Sequence, residues 1–290
     1  MGLKLIVSDL DGTLLDSKYR EISPVNADAL KAAQNAGVTF AVATGRPYGN
    51  ALEVCRRAGL ADPYIISNHG AFVHTKDGRC IHEAGLDIAP LTRAIDWLKT
   101  NEYYYSVGTA KYTYVPVSAV NRLDSEFESA TILVDTSLTK EKIRERVTWL
   151  STDKDVQIVE NLDGIISEKA SIGHVTAIAF DAVKLKNGRD YFSTFEGMAM
   201  TMASADNFEM VHPSVSKGNA LEILARHLGI LLENVMAIGD NYNDISMLEK
   251  VGINVAIGNA ETAVKECCKY VAPTNDENGV AQMVTRMLAG

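Results

Sequence analysis

Two aspartates one residue apart, in the run Asp9-Leu10-Asp11-Gly12-Thr13, follow the short apolar stretch Leu5-Ile6-Val7. If a strand has just ended there, both carboxylates can enter one cleft, and Leu10 between them offers a backbone N–H. A carboxylate such as Asp9 can attack phosphorus and form an aspartyl phosphate, which divides a hard hydrolysis into two easier displacements. The second, Asp11, can protonate the leaving oxygen and then deprotonate water. Close carboxylates repel each other, so a hard cation with oxygen ligands is expected, and Mg²⁺ fits best. The same run also reads as a plain strand-ending Asp-Gly turn, and these residues alone leave both readings open.

Three further groups have chemistry that complements the pair. Thr44-Gly45-Arg46 can offer a hydroxyl and backbone N–H groups to a phosphate, or Thr44 can simply cap a helix. Lys217 opens a helix, where the macrodipole disfavours a cation, so an anion opposite it is one explanation and a solvated surface lysine the other. In Gly239-Asp240-Asn241-Tyr242-Asn243-Asp244, Asp240 can ligate a metal and Asn243 can donate an amide hydrogen bond to phosphate. Asp244 can support them from behind or cap the following helix. A calcium loop fails here, because Tyr242 takes a ligand position and Ile245 stands where the sharp-turn glycine belongs. No P-loop, no dinucleotide-binding glycine run and no nucleophile elbow is present. The six histidines show no metal-ligand spacing.

The elements that must position these residues alternate strand and helix. Leu5-Ile6-Val7, Val38 to Ala43 and Tyr64-Ile65-Ile66 read as strands. A helix opened by Ser23-Pro24 and another from Tyr48 to Ala58 lie between them. The last eighty or so residues resume the rhythm. There a helix covers Gly218 to His227, a strand Asn234 to Ile238 and a helix Asp244 to Lys250. A strand Ile253 to Ile257, a helix from Glu261, a short strand Tyr270-Val271 and a terminal helix follow. This is an α/β pattern, a doubly wound parallel sheet with helices on both faces. Ligands of such sheets sit beyond the carboxyl ends of the strands, which gathers Asp9, Asp11, Thr44, Asp240 and the Ser67-Asn68-His69-Gly70 segment along one edge. The middle differs. Helices are expected over Pro90 to Asn101 and Thr139 to Ser151. Tyr103 to Tyr105, Tyr112 to Val115 and Thr176 to Phe180 read as half-buried antiparallel strands. The organisation expected is a discontinuous core (1–84 and 211–290) carrying an inserted α+β domain (85–210).

A net charge of −9 on 290 residues argues against non-specific binding to nucleic acid or an anionic membrane. No uncharged apolar stretch approaches the roughly 18 residues a span needs. The start lacks the pattern of a signal peptide. Cys55, Cys80, Cys267 and Cys268 form no C-x-x-C pair and read as free thiols. A cytoplasmic location follows as the expectation.

Taken together, the four motifs resemble the haloacid dehalogenase superfamily, in particular its Cof-type subfamily IIB of sugar-phosphatase-like proteins. Asp9 to Thr13 resembles the first motif, Thr44-Gly45-Arg46 the second, Val215-Ser216-Lys217-Gly218 the third and Gly239-Asp240 to Asn243-Asp244 the fourth. The resemblance implies a Rossmann-like core with a type-two (C2) cap that chooses the substrate. It implies Asp9 as nucleophile and Asp11 as acid/base. Phosphate would be bound by Leu10, Thr44, Gly45, Lys217 and Asn243. Mg²⁺ would be held by Asp9, Asp240 and the backbone carbonyl of Asp11, with Asp244 and Arg46 behind these groups. The retained Asp11 favours phosphate-ester hydrolysis over carbon–halogen chemistry. One departure stands out, because the family commonly reads Asn-Gly-Ala after its third strand and this chain has His69-Gly70-Ala71. The implied substrate is a small phosphate ester: a sugar phosphate, a nucleoside monophosphate or a phosphorylated cofactor. A monomer or small homo-oligomer is expected. A phosphomutase or phosphotransferase using the same residues, and a non-catalytic phosphate sensor, are the alternatives.

Overall fold

A computed structural model describes all residues except 1, 61, 135–138, 140, 143–147, 149–153, 168–170, 203 and 290. Most of the helix expected over Thr139 to Ser151 lies outside the described residues. The chain divides into two compact units, Met1–Glu83 with Val215–Gly290, and Ala84–Ser214. The second crossing lies later than residue 211 because Val211 still pairs with His174 and Ala199 in the inserted sheet.

The first unit begins with β1 (Leu5–Ser8), α1 (Pro24–Asn35), β2 (Thr39–Ala43), α2 (Tyr48–Arg57), β3 (Tyr64–Ser67), β4 (Phe72–His74) and β5 (Cys80–Glu83). The second unit contains α3 (Ile88–Thr100), β6 (Tyr104–Thr109), β7 (Thr113–Pro116), α4 (Val117–Ser129), β8 (Val156–Val159), α5 (Asp163–Ser167), β9 (Ile172–Ile178), α6 (Ala182–Ser193), β10 (Ala199–Thr201) and β11 (Asn207–Val211). The first unit then resumes with α7 (Lys217–Leu228), β12 (Val235–Gly239), α8 (Tyr242–Leu248), β13 (Ile253–Ala256), α9 (Thr262–Cys267), β14 (Tyr270–Val271) and α10 (Gly279–Ala289).

Its sheet runs β14-β13-β12-β1-β2-β3-β4-β5, parallel as far as β3, with β4 and β5 antiparallel at the edge. The central strands are almost wholly apolar on both faces and buried except at Thr39, as strands covered on two sides must be. Each fully buried Val, Leu or Ile contributes about 1.5–3 kcal/mol relative to exposure. Register then places the chemistry. Ser8 lies opposite both Val42 and Ile238, and Ala43 opposite Ile66. Asp9, Thr44, Asn68 and Asp240 therefore emerge from one edge of the sheet. The flanking helices start where their caps dictate. The Ser23 hydroxyl accepts from Asn26 N with Pro24 at the first position of α1, and the Ser216 hydroxyl accepts from Asn219 N at the start of α7.

In the second unit the sheet runs β10-β11-β9-β6-β7-β8, antiparallel except for the parallel pair β7–β8. Tyr105, Ala177 and Phe208 align across three strands, as do Val107, Val175 and Met210, giving an apolar layer that joins the core with residues of α3, α4 and α6. The alternate residues Ser106, Thr176 and Glu209 form a polar row. Tyr104 and Tyr105 are fully buried, not half-buried as their pattern suggests.

Candidate active site

The chain leaves β1 through a tight π-type turn, Leu10–Leu14, closed by a hydrogen bond from Leu15 N to Leu10 O. Gly12 makes the turn possible: its φ is +80°, and a Cβ there would stand 2.6 Å from Asp240 Oδ2. The turn thus lets the end of β12 approach the end of β1. Thr13 Oγ1 donates to Asp240 Oδ1 at 2.6 Å, locking the two loops together. The Leu10 side chain is buried in the core, so only its main chain faces outward chemistry.

Lys217, 1% exposed, sits at the first position of α7 and donates to Asp9 Oδ1 and Asp244 Oδ1, each at 2.6 Å. Helix α8 begins at Tyr242 rather than Asp244, because Asn241 is its cap. Asp244 completes a capping box by accepting from the backbone N–H groups of Asn241 and Asp240 through Oδ2. One carboxylate therefore caps a helix, braces the Asp240 backbone and orients the lysine. Asp9, Asp240 and Asp244 present oxygens within 4.8 Å of one another.

The electrostatics follow from these contacts. Burial raises the Asp9 pKa well above the usual carboxylate range; Lys217 opposes this, while Asp244, Asp240 and Asp11 add to it. Burial and the Asp244 charge lift Asp240 to about 6, against the pull of the Thr13 hydrogen bond. Burial would lower Lys217, but Asp244 and Asp9 outweigh it and hold the ammonium above its ordinary value. Asp11 behaves oppositely. Burial pushes it up, yet Arg46 and Arg20 dominate and bring it down to about 2. Arg46 grips it with Nε at 2.7 Å and a terminal nitrogen at 2.5 Å, and Arg20 adds a bond at 2.8 Å. The Asp11 carboxylate is consequently turned to the arginines and is not among the three clustered carboxylates.

Thr44 is buried and its hydroxyl accepts from Arg46 N at 3.1 Å, shaping the loop that contains Gly45. The Asn243 amide nitrogen lies 3.4 Å from His69 Nδ1, and its Oδ1 is buried without a hydrogen-bond partner. His69 (φ 60°) and Asn68 (φ 49°) are consecutive left-handed residues, a conformation that costs roughly 1–2 kcal/mol for ordinary side chains. Bonds from Asn68 N to Arg46 O and from His69 N to Thr44 O hold them there. Sequence reasoning missed the parts played by Thr13 and Arg20. Thr13 lay inside the first motif, and its length suits a hydroxyl bridge. Arg20 had no local signal, since it reaches Asp11 only because Leu15 and Ile22 pair to fold the intervening chain into a hairpin.

The residues present suit a divalent cation. The donors are all carboxylate oxygens, two of them hold protons more tightly than normal, and Lys217 is the one cation that contacts Asp9 or Asp244 among the described residues. Such a set asks for positive charge of a hard, oxygen-seeking kind.

Comparison with known proteins gives the same picture. The profile of the haloacid dehalogenase-like hydrolases matches residues 6–284. Phosphatase YwpJ of Bacillus subtilis is 34% identical over 291 aligned residues, covering 99% of this chain and 100% of the relative. The 5-amino-6-(5-phospho-D-ribitylamino)uracil phosphatase YwtE of the same organism is 29% identical, with 99% of each chain covered. The solved structure of a haloacid dehalogenase-like hydrolase from B. subtilis superposes with a TM-score of 0.84 at 31% identity, covering 98% of this chain and 99% of that one. Among the described residues no helix is long and apolar enough to cross a membrane. The chain belongs to the haloacid dehalogenase-like hydrolase family and is a phosphatase within it.

Proposed function

We propose that this protein is a Mg²⁺-dependent phosphatase of small phosphorylated metabolites that transfers the phosphoryl group to Asp9 before water removes it. The observation that carries the reading is the contact of Asp9 with Lys217, 2.6 Å apart inside a cluster of three carboxylates, with Asp11 held two residues away by arginines. Lys217 fixes one oxygen of Asp9 and leaves the other for in-line attack on phosphorus, while the ester P–O bond breaks. Lys217, Thr44, the Leu10 and Gly45 main chain and Asn243 would stabilise charge on the transferring oxygens. Asp9, Asp240 and the Asp11 carbonyl would hold Mg²⁺, which would supply charge neutralisation and Lewis acidity.

Asp11 is ionised beside Arg46 and Arg20, which is the form that deprotonates the attacking water in the second half-reaction. Its first task, giving a proton to the departing alcohol, requires that substrate binding loosen at least one of those guanidinium contacts, so that the carboxylate first takes up a proton from solvent water and then passes it to the leaving oxygen. The substrate class is a small monoester, in keeping with the ribitylamino-uracil phosphate named for one relative. The second unit sets the choice among such esters. The test is phosphate release across sugar phosphates, nucleoside monophosphates and phosphorylated cofactors, with Mg²⁺ and with EDTA. Release that stops with EDTA and with Asp9→Asn in a folded protein is expected. Turnover by Asp9→Asn, or transfer only to an alcohol acceptor, contradicts the proposal.

A further inference from the structure

We infer that His69 is a positioning residue for phosphoryl transfer, its imidazole holding the Asn243 carboxamide so that the second amide hydrogen faces the phosphoryl group. This rests on the reading that Asn243 contacts that group. Four observations lead to it. The ring lies over the second motif loop, since a Cβ on Gly45 would stand 2.5 Å from its Cε1 and 2.7 Å from its Nε2. Only glycine at position 45 admits the imidazole there. The left-handed backbone at Asn68 and His69 is what turns the side chain toward this loop, and the bonds to Thr44 O and Arg46 O tie that conformation to the loop itself. The ring ends against Asn243, Nδ1 to Nδ2 at 3.4 Å.

The fourth observation concerns hydrogens. An amide nitrogen only donates, so Nδ1 must accept and the ring proton belongs on Nε2. One N–H is committed to the ring, and the other is left to donate to a ligand. Asn243 Oδ1, buried and without a hydrogen-bond partner, gives the amide no anchor of its own. The imidazole therefore supplies the restraint. His69 touches no substrate in this scheme and acts wholly through Asn243.

The experiment is a double-mutant cycle with p-nitrophenyl phosphate and saturating Mg²⁺, using His69→Asn, Asn243→Ala and the pair. Asparagine tolerates left-handed backbone and keeps the turn while removing the ring. We expect His69→Asn to lower kcat about tenfold with KM changed less than about twofold. In the Asn243→Ala background the same change should alter kcat less than about twofold, because no carboxamide remains to be held. His69→Gln, whose Oε1 can accept from Asn243, should recover kcat to within about threefold of wild type. Its circular dichroism and that of His69→Asn should match wild type. Effects that multiply, wild-type kcat in His69→Asn, or a glutamine variant no better than asparagine each overturn the proposal alone. An unaffected Asn243→Ala overturns the underlying reading as well, and a wild-type protein that releases no phosphate overturns the phosphatase reading first.

Discussion

Replacing Lys217 with methionine removes one ammonium and little volume, so its effects report electrostatics rather than packing. The side chain is 1% exposed and stands 2.6 Å from both Asp9 and Asp244. Removing it leaves two buried carboxylates facing each other with Asp240 close by. Breaking a buried ion pair of this kind costs about 3–5 kcal/mol, a large part of the 5–15 kcal/mol that holds a typical domain. The loss should depend on pH. Lysine 217 is charged throughout the neutral range, its folded pKa being raised, so its own contribution is constant there. The repulsion it suppresses grows as the carboxylates ionise. Urea unfolding of Lys217→Met in EDTA should therefore show the full loss near pH 7.5 and a smaller one near pH 5. Turnover should fall at least about a hundredfold, as when one transition-state donor is deleted. A variant within about 1 kcal/mol of wild type at both pH values would refute the electrostatic account.

Two further outcomes follow from the same geometry. Gly12→Ala forces a side chain into a φ of +80° and against Asp240 Oδ2; we expect a melting temperature lower by about 2–8 °C and a weaker Mg²⁺ requirement curve, and wild-type values in both would contradict the close-approach argument. Asp240 has a folded pKa of about 6 against an ordinary 3.8, so without metal the folded state keeps a proton that the unfolded chain has lost, and stability falls as pH rises through that window. Mg²⁺ bound there would replace that proton, so a fixed concentration about a hundredfold above its Kd at pH 7.5 should raise the melting temperature by about 5–10 °C near pH 7.5 and by less near pH 5. An equal rise at both would speak against Asp240 as a ligand.

Much of this was legible in the residues because the governing signals are local. Runs such as Leu5-Ile6-Val7 and Thr39 to Ala43 are apolar on both faces, which a two-sided parallel sheet demands, and the strand-end rule then gathers Asp9, Thr44 and Asp240. Lys217 stands where a helix dipole rejects a cation, which singles it out in the sequence but leaves a solvated surface lysine as the other reading. The hairpin of β4 and β5 went unread because both strands are short and their turn, Lys76-Asp77-Gly78, interrupts a mixed polar pattern. The start of α8 was misplaced because Asn241 and Asp244 are both good caps, and only the three-dimensional box shows that one caps and the other closes it. The parallel pairing of β7 with β8, the reach of Arg20 to Asp11 and the seat of His69 on Gly45 depend on long-range geometry that leaves no periodic trace.

The central claim is that Asp9 carries the phosphoryl group. Acid quenching during turnover of a phosphate ester, followed by proteolysis and mass measurement, tests it directly. The account predicts one added HPO₃ on the peptide containing Asp9, trapped as homoserine at that position by borohydride and absent from Asp9→Asn. Continued phosphate release with no phosphorylated peptide, or with the phosphoryl group on another residue, would contradict it.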